Sequence, residues 1–334
     1  MERLLVMGTG PIGGIIGGRL ARAGQDVIFV DVDEEHIAAI CANGLQVDVP
    51  DGPFNVKISI ARPDEIQGKF DIVFIAVRSN YTADTLKAAL PHLTDNGLLV
   101  SLQNGINPPL LEKEVGPDRT VGVAIRMGSR RVAPGQLYTD SRGHLYLGHL
   151  HGRTTLELRN LHELLNSVIP SEITANILAV LWSKLTYTCL GYFGSLADAS
   201  LATSCSDKRN RGSLVEFMGE VVAVGDALGA RFIPLDEYNP PDLHPRRPFQ
   251  DRLSIINNYA RSWKPEDRKG PLRQMQQGIV TEVDYTLGYV VQEGNKLCLN
   301  VRICEAVLDM IRDIQKGKRQ LQLQNYEEIA GLIS

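Results

Sequence analysis

The chain has 334 residues, of which 43% are hydrophobic and 22% are charged. This composition is typical of a globular protein and excludes a disordered chain, and chains of this length usually form two domains. The 35 basic and 39 acidic side chains give a net charge of −4, so the chain lacks the basic excess of a dedicated nucleic-acid-binding protein.

The first half of the sequence alternates short apolar runs with segments of helical periodicity. Apolar runs at residues 4–7, 27–30, 72–77 and 98–102 predict strands, and the segments between them predict helices. Continuous apolar strands separated by helices are typical of a parallel sheet that is covered by helices on both faces. The sequence therefore predicts an α/β fold with an N-terminal doubly wound parallel sheet.

The second half of the sequence predicts helices almost throughout. Pro170 ends the last helical pattern of the first half, and strand-like alternation is scarce after it. We therefore predict a first domain at residues 1–170 and an all-helical second domain at residues 171–334. The predicted helices of the second domain are at 175–190, 214–228, 253–259, 278–292 and 301–314.

The cysteines and the N-terminal sequence favour a cytoplasmic protein. The 5 cysteines are scattered and include no C-x-x-C pair, so we expect reduced thiols without a disulfide framework or a zinc site. The first residues lack the pattern of a secretory signal, and no apolar run approaches the ~20 residues that span a membrane. We expect no metal and no membrane association. Four neighbouring histidines are interpreted as surface residues: His144, His149, His151 and His162.

A glycine motif follows the first predicted strand and begins the first predicted helix. Gly8, Gly10 and Gly13 have the spacing G-x-G-x-x-G, with Pro11 and Ile12 before the last glycine. In this context the first glycine permits a tight turn, the second lets a pyrophosphate approach the backbone, and the third lets helix and strand pack closely. The first amides of the helix then bind the pyrophosphate. The motif predicts a Rossmann-type, dinucleotide-binding first domain.

An acid at the end of the second predicted strand indicates which dinucleotide is bound. Asp31 lies close to the ~20-residue offset that is expected for a ribose-binding acid. A carboxylate there accepts hydrogen bonds from the ribose hydroxyls and repels a 2′-phosphate, which favours NAD(H). NADP(H) stays open as an alternative, because Asp33 competes for the same role and Arg78 attracts phosphate. The other alternative is a glycine turn that serves packing alone, with Asp31 simply solvated.

Three short motifs follow the glycine motif in a fixed order. They are LQNG at residues 102–105, WSKL at residues 182–185 and TEVDY at residues 281–285. With the glycine motif, their order and spacing resemble the ketopantoate reductase family from the first glycine to about residue 310. The resemblance implies a Rossmann-type domain followed by a helical domain for substrate binding and dimerisation, so a homodimer is possible. It also implies a 2-dehydropantoate 2-reductase-like enzyme that transfers hydride between a nicotinamide cofactor and a 2-oxo or 2-hydroxy carboxylate.

The resemblance assigns roles to individual residues. Lys184 corresponds to the catalytic lysine that faces the substrate carbonyl, and Glu282 to the acid that binds the substrate hydroxyl. Asn104 corresponds to an asparagine near the nicotinamide and the substrate, and Arg78 stands where the family has a cofactor-contacting lysine. Chemistry agrees, because hydride addition to a carbonyl creates negative charge that a nearby cation or proton donor stabilises. The alternatives are a snorkelling lysine, a solvated helix acid and an Asn-Gly turn.

The substrate half of the pattern differs from the family. The family usually has asparagines four and eight residues after the lysine, where this chain has Thr188 and Tyr192. A serine pair usually precedes the acid motif, where this chain has residues 269–271 (KGP). Thr188 and Lys269 are therefore our candidates for binding a small anionic carboxylate, with Arg273 close by; a solvated basic helix face is the alternative. Further arginines in this region are Arg246, Arg247, Arg252, Arg261 and Arg268.

Two classes of function remain open from the sequence. The leading hypothesis is an NAD(P)-dependent oxidoreductase in which Lys184 and Glu282 are the catalytic pair. The second is a non-catalytic dinucleotide-binding redox sensor, which the loss of both family asparagines motivates. A polyol-phosphate dehydrogenase is a weaker alternative within the enzyme class.

Overall fold

The computed structural model describes residues 2–235, 238–266 and 270–333. The chain divides into two compact units, Met1–Ile177 and Leu178–Ser334. The boundary that we predicted from the sequence is a few residues earlier, at residue 170. Among the described residues, no helix combines the length and the apolar character that crossing a membrane requires.

The first unit contains strands and helices in alternation. Its helices are α1 (Pro11–Arg22), α2 (Glu34–Asn43), α3 (Thr82–Ala89), α4 (Pro108–Val115) and α5 (Leu156–Asn166). Its strands are β1 (Arg3–Met7), β2 (Asp26–Val30), β3 (Leu45–Asp48), β4 (Phe54–Val56), β5 (Ser59–Ala61), β6 (Phe70–Ile75), β7 (Leu93–Ser101), β8 (Thr120–Arg126), β9 (Arg130–Ala133), β10 (Gln136–Tyr138), β11 (His144–Gly148) and β12 (Ser171–Ile173).

An eight-stranded sheet forms the centre of the first unit. Its strand order is β12-β11-β8-β7-β6-β1-β2-β5. Neighbouring strands are parallel except β8 and β11, which are antiparallel. The chain crosses from β1 outward in both directions, which is the doubly wound arrangement that the apolar runs predicted. The predicted fold class is therefore confirmed for the first unit.

Apolar side chains cover both faces of this sheet. In β1, Leu4 and Val6 pack on one face with α1 and α5, whereas Leu5 and Met7 pack on the other face with α3 and α4. Successive side chains of a strand point to opposite faces, so a strand that is covered on both sides must be apolar at every position. This explains the unbroken apolar run at residues 4–7, where each fully buried leucine contributes about 1.5–3 kcal/mol.

A second, four-stranded sheet in the first unit was not predicted from the sequence. Its order is β4-β3-β10-β9, and it mixes antiparallel pairs with one parallel pair, β3 and β10. Leu45, Val47 and Leu137 pack from this sheet against Ile15 of α1 and Ile40 of α2. Strands of three or four residues carry too few positions for the period-2 pattern to be recognised. The prediction of a single sheet in this domain was therefore incomplete.

The described residues of the second unit form helices and the loops that connect them, apart from one isolated bridge between Leu235 and Tyr238. The predicted all-helical domain is confirmed. Its helices are α6 (Ile177–Phe193, which begins at the unit boundary), α7 (Leu201–Ser204), α8 (Lys208–Ala227), α9 (Phe249–Ala260), α10 (Gly270–Gln276), α11 (Leu287–Lys296), α12 (Arg302–Gln315) and α13 (Gln324–Gly331).

The predicted helix at 278–292 is wrong in its first half. Gly278 has a φ of +69°, a left-handed conformation that follows α10 and ends it. The next residues form a loop with a short 3-10 turn at Val283–Tyr285, and α11 begins only at Leu287. Glu282 therefore lies in a loop rather than on a helix face.

Candidate functional site

The glycine turn between β1 and α1 is closely packed at its first and last glycines. Gly8 has a φ of +100°, and a Cβ there would lie 2.9 Å from the backbone nitrogen of Val77. A Cβ on Gly13 would lie 2.1 Å from the carbonyl oxygen of Gly8 and 2.7 Å from the Cβ of Ala76. A Cβ at either position would lie too close to these atoms, so the turn itself requires glycine at residues 8 and 13.

The middle glycine is different, because its surroundings are open. A Cβ on Gly10 would meet no atom within 4 Å, and its φ of −69° suits any residue. Gly10 is the N-cap of α1 and makes no side-chain cap, while Pro11 and Ile12 form the first turn. The helix start thus combines uncapped amides with free space in front of them. A dinucleotide pyrophosphate fits this cradle.

Asp31 is fixed beside the glycine turn. One carboxylate oxygen accepts the Thr9 N–H at 2.8 Å, and the other accepts the Val32 N–H at 2.8 Å and the Asp33 N–H at 3.1 Å. The side chain is half-buried, and a carboxylate offers more acceptor sites than these three bonds occupy. Asp31 is therefore positioned to accept further hydrogen bonds from a ligand in the turn.

Asp33 does not share this position, although the sequence left that open. It is the N-cap of α2, where it accepts the His36 N–H at 3.1 Å. Its other oxygen lies 2.6 Å from Nη1 of Arg131. The hydrogen bond from Arg131, together with that from His36, holds the pKa of the Asp33 carboxyl below its usual range. The carboxylate of Asp33 is therefore occupied by a helix cap and an ion pair.

His36 is a residue that the sequence analysis missed. Its ring is fully buried, with Nδ1 accepting the Gly135 N–H at 2.9 Å. Because a backbone N–H only donates, Nε2 carries the ring proton and donates to the Thr9 carbonyl at 2.9 Å. The ring thus joins the glycine turn to the turn between β9 and β10. In the sequence, His36 stands three residues after the helix-capping Asp33, and nothing in that spacing predicts that its ring joins the two turns.

Two further predicted residues lie at the ends of neighbouring strands. Arg78 follows β6 and Asn104 follows β7, and both are exposed. The Asn104 carbonyl accepts the Ser79 hydroxyl at 3.2 Å and the Asn107 side-chain amide at 2.6 Å, which ties the two strand ends together. Sequence reasoning had not singled out Ser79 or Asn107. The φ of +81° at Gly105 shapes the same turn.

The sheet order brings the predicted residues of the first unit to one edge. Strands β7, β6, β1 and β2 are consecutive neighbours and run parallel, so their carboxyl ends share that edge. Asn104, Arg78, the glycine turn and Asp31 follow these ends in that spatial order. Ligands of open parallel sheets bind at this edge.

Lys184 of the second unit lies on α6 between the buried residues Ser183 and Leu185. The lysine itself is half-buried. Burial lowers the pKa of its amine from 10.5 to about 8, and the charge of Glu282 opposes part of that shift. An amine with a pKa near neutrality can both donate and accept a proton at physiological pH.

The loop that holds Glu282 is fixed by buried hydroxyls. The Thr286 hydroxyl lies 2.8 Å from the Glu282 carbonyl and 3.1 Å from the hydroxyl of Tyr192 on α6. Tyr192 is buried, and burial raises the pKa of its phenol. Glu282, Tyr192 and Thr286 therefore form one polar cluster, of which the sequence analysis had assigned a role only to Glu282.

Thr188 lies one helical turn after Lys184 on α6, and Tyr192 lies one turn further. The Thr188 hydroxyl donates to the Lys184 carbonyl at 3.0 Å, which leaves its oxygen lone pairs for another partner. The residues that replace the family asparagines thus share the helix face of the lysine.

The predicted basic surface around residues 246–273 is largely accounted for by ion pairs. Arg252 lies 2.8 Å from Glu216, Arg246 lies 3.1 Å from Asp226 and Arg247 lies 2.7 Å from Asp242. These three guanidiniums have partners within the second unit, so the idea that they supply an anion site is corrected. Arg261 and Arg273 are exposed, and Lys269 and Arg268 lie outside the described residues.

Of the four histidines that were interpreted as surface residues, His151 is exposed, but His149 differs from that interpretation. His149 is fully buried, with Nδ1 2.7 Å from the Thr120 carbonyl and Nε2 3.1 Å from the Thr155 hydroxyl. Burial lowers the pKa of His149. Within the described part of the chain, no group of histidine, cysteine and acidic side chains has the arrangement of a metal site.

Sequence comparison gives family matches in both units. The family described as "Ketopantoate reductase PanE/ApbA" matches residues 4–152, and "Ketopantoate reductase PanE/ApbA C terminal" matches residues 176–315. A 2-dehydropantoate 2-reductase of Pyrococcus abyssi is 26% identical, covering 96% of this chain and 99% of its own. One from Mesorhizobium japonicum is also 26% identical, covering 93% and 97%.

Solved structures share the fold of the whole chain. A PanE/ApbA family ketopantoate reductase from Ralstonia eutropha JMP134 has a TM-score of 0.80 at 24% identity, covering 95% of this chain and 99% of its own. A D-mandelate dehydrogenase, solved with NADH and anilino(oxo)acetate, has a TM-score of 0.79 at 16% identity, with the same coverage. At these identities the likeness establishes the fold.

Proposed function

The chain belongs to the ketopantoate reductase family, and we propose that it transfers hydride between NAD(H) and a small 2-oxo or 2-hydroxy carboxylate. Its activity class is that of an oxidoreductase acting on a CH–OH group or the corresponding carbonyl. The observation that carries the proposal is the half-buried amine of Lys184, whose pKa is lowered to about 8 beside the charge of Glu282. A redox sensor without chemistry has no need for such a pair.

The residues divide the chemistry between them. Bound nicotinamide supplies the hydride for reduction or accepts it in oxidation. Lys184 donates a proton to the substrate carbonyl oxygen in reduction and removes the alcohol proton in oxidation. While it is protonated, its ammonium also stabilises the negative charge that develops on that oxygen. Reduction requires the ammonium form of Lys184 and oxidation requires its neutral amine. A pKa of about 8 serves both directions, because both forms are then present near neutral pH.

Glu282 and its neighbours prepare the amine for this role. The charge of Glu282 favours the ammonium form, which burial alone disfavours. We assign Glu282 to binding the substrate hydroxyl and to orienting Lys184, and we assign Tyr192 and Thr286 to holding its loop. Thr188 contributes its free lone pairs to the substrate. In the first unit, Asn104 serves the substrate and the nicotinamide.

Asp31 supports NAD(H) as the preferred cofactor. Its carboxylate is fixed by three backbone amides at the ribose end of the glycine turn. A carboxylate there bonds to ribose hydroxyls and repels a 2′-phosphate. Gly8, Gly10, Pro11, Ile12 and Gly13 form the pyrophosphate cradle, with Arg78 at the neighbouring strand end.

We propose a substrate other than ketopantoate itself. Thr188 and Tyr192 stand in place of two asparagines, so the hydrogen-bonding groups of the substrate half have changed. Lys269 remains a proposal for binding the substrate carboxylate. Homodimerisation through the second unit is also proposed; a ketopantoate reductase of the same fold from Staphylococcus aureus is described as dimeric. Cytoplasmic location stays an expectation.

A substrate panel tests the proposed function. The full-length protein is mixed with NADH or NADPH and with ketopantoate, phenylglyoxylate and a series of aliphatic 2-oxo acids, and the loss of reduced cofactor is followed by absorbance. We expect turnover with at least one 2-oxo acid and a preference for NADH. Dinucleotide binding without turnover of any acid would favour the redox sensor. A parallel assay with polyol phosphates and NAD⁺ tests the remaining alternative, because activity confined to that assay would favour the polyol-phosphate dehydrogenase.

The lowered pKa of Lys184 predicts opposite pH profiles for the two directions. Reduction needs the ammonium, so its kcat/KM should be constant below about pH 8 and fall as the pH rises through that value. Oxidation needs the neutral amine, so its kcat/KM should rise through the same pH. Rates measured between about pH 6 and pH 10 with the best substrate check both limbs. Two flat profiles would show that this amine does not exchange a proton in the rate-limiting step.

A further inference from the structure

Two arginines approach the ribose end of the glycine turn, and each is paired with its own carboxylate. The first is Arg131 of β9, whose Nη1 lies 2.6 Å from Oδ2 of Asp33. The Asp33 N–H in turn donates to Oδ1 of Asp31 at 3.1 Å. The guanidinium of Arg131 is therefore paired with a residue that itself bonds to Asp31, the proposed ribose-binding acid.

The second arginine is Arg62, which directly follows β5, the strand next to β2 in the large sheet. The Asp31 N–H donates to the Ala61 carbonyl at 3.2 Å, which places the following residue, Arg62, beside the ribose acid. The Arg62 guanidinium lies 2.5 Å from a carboxylate oxygen of Glu34, in the first turn of α2. Both arginines are thus paired with acids at the start of α2, Asp33 at its N-cap and Glu34 in its first turn.

These ion pairs lie where the surface is open to a ligand. The side chains of Arg131 and Asp33 are 42% and 36% exposed, so both are accessible to solvent. A guanidinium offers a planar set of donors that matches a phosphate group, and Arg131 would bind one if it were released. While it is paired with Asp33, Arg131 adds no net positive charge next to Asp31.

We propose that Asp33 is a specificity-determining residue that excludes the 2′-phosphate of NADP(H). By holding Arg131, it withholds the cation that this phosphate needs and leaves the negative charge of Asp31 unbalanced at the ribose end. Glu34 holds Arg62 in the same way, so this second guanidinium is also withheld from the phosphate. The inference rests on the proposed dinucleotide binding and deepens it, because it adds a residue beyond the ribose acid itself.

The variant Asp33→Asn tests this. Asparagine caps helices as well as aspartate does, so the bond from the His36 N–H is kept while the charge that holds Arg131 is removed. Dissociation constants for NADH and NADPH are measured on the full-length chain by titration of the fluorescence of the reduced nucleotides. We expect NADPH to bind about tenfold more tightly than to the parent protein, which corresponds to one added charge-assisted bond. Binding of NADH should stay within about twofold.

Two control variants separate this effect from a general change in charge. Adding Arg131→Gln to Asp33→Asn should return NADPH binding to the parent value, because the released cation is gone. Asp26→Asn removes an acid at the other end of β2, where Asp26 pairs with Arg3 at 3.1 Å and both side chains are similarly exposed. This variant should leave both dissociation constants unchanged.

Three results would overturn the inference. They are unchanged NADPH binding in Asp33→Asn while NADH still binds, a gain that survives the loss of Arg131, and a parent protein that already binds NADPH as tightly as NADH. A parent protein that binds neither nucleotide would overturn the proposed function itself, and the inference with it.

Discussion

Lys184→Ala is expected to reduce turnover by about 10²–10⁴-fold, the range that a positioned general acid or base contributes. The loss has two parts, because the variant lacks both the proton donor and the positive charge that stabilises the developing oxyanion. Binding of NADH should persist, since the glycine turn and Asp31 belong to the first unit. Steady-state rates with the best 2-oxo acid, together with a fluorescence titration of NADH, measure both expectations.

Two matched variants make this result interpretable. Lys184→Met keeps most of the side-chain volume and removes the charge, so it should lose activity like the alanine variant without leaving a cavity. Lys296→Ala removes an exposed lysine of α11 that pairs with Glu293 at 2.7 Å, and it should keep the parent rate. Turnover at the parent rate in Lys184→Ala would remove Lys184 from the mechanism.

Gly13→Ala is expected to destabilise the protein by at least about 2 kcal/mol, because overpacking against a backbone atom cannot be relieved by a side-chain shift. The added methyl group would lie 2.1 Å from the Gly8 carbonyl oxygen, which belongs to the turn itself. The turn must therefore open, and NADH binding should be lost together with stability. Urea unfolding of the parent and the variant gives the free energy difference.

Gly10→Ala provides the contrast within the same motif. Its methyl group would meet no protein atom within 4 Å, so the free energy of unfolding should stay close to the parent value. The methyl group occupies the space into which a pyrophosphate must move, so we expect NADH to bind at least about tenfold more weakly. Equal stability of Gly13→Ala and Gly10→Ala would contradict the packing argument, and unimpaired NADH binding in Gly10→Ala would contradict the cradle.

The parts of the fold that follow from local periodicity were predicted correctly. The run at residues 72–77 is apolar because β6 is covered on both faces, and a long apolar run permits few other structures. The glycine motif could be recognised in the sequence because the turn itself requires glycine at two of its positions, Gly8 and Gly13. The roles of Asp31, Lys184 and Glu282 remain predictions. They concern bound ligands, so binding and activity measurements test them.

The features that sequence reasoning missed depend on contacts between distant segments. The loop at residues 279–286 was predicted as a helix because its apolar spacing suits one, but Gly278 ends α10 and the buried Thr286 hydroxyl bonds to the Glu282 carbonyl. The ion pairs of Arg246 and Arg252 join residues that are far apart in sequence, so composition alone made them look like an anion site. Short strands and buried histidines are equally difficult to recognise from a single sequence.

The buried ring of His36 links the carbonyl of Thr9 to the amide of Gly135, which is 99 residues after the histidine in the chain. We expect a dinucleotide that restrains the glycine turn to restrain this imidazole as well, and with it the hairpin of the small sheet. Slower hydrogen exchange at the Gly135 amide would then report that a nucleotide is bound at the glycine turn. The small sheet, which packs on α1, would then respond to cofactor binding.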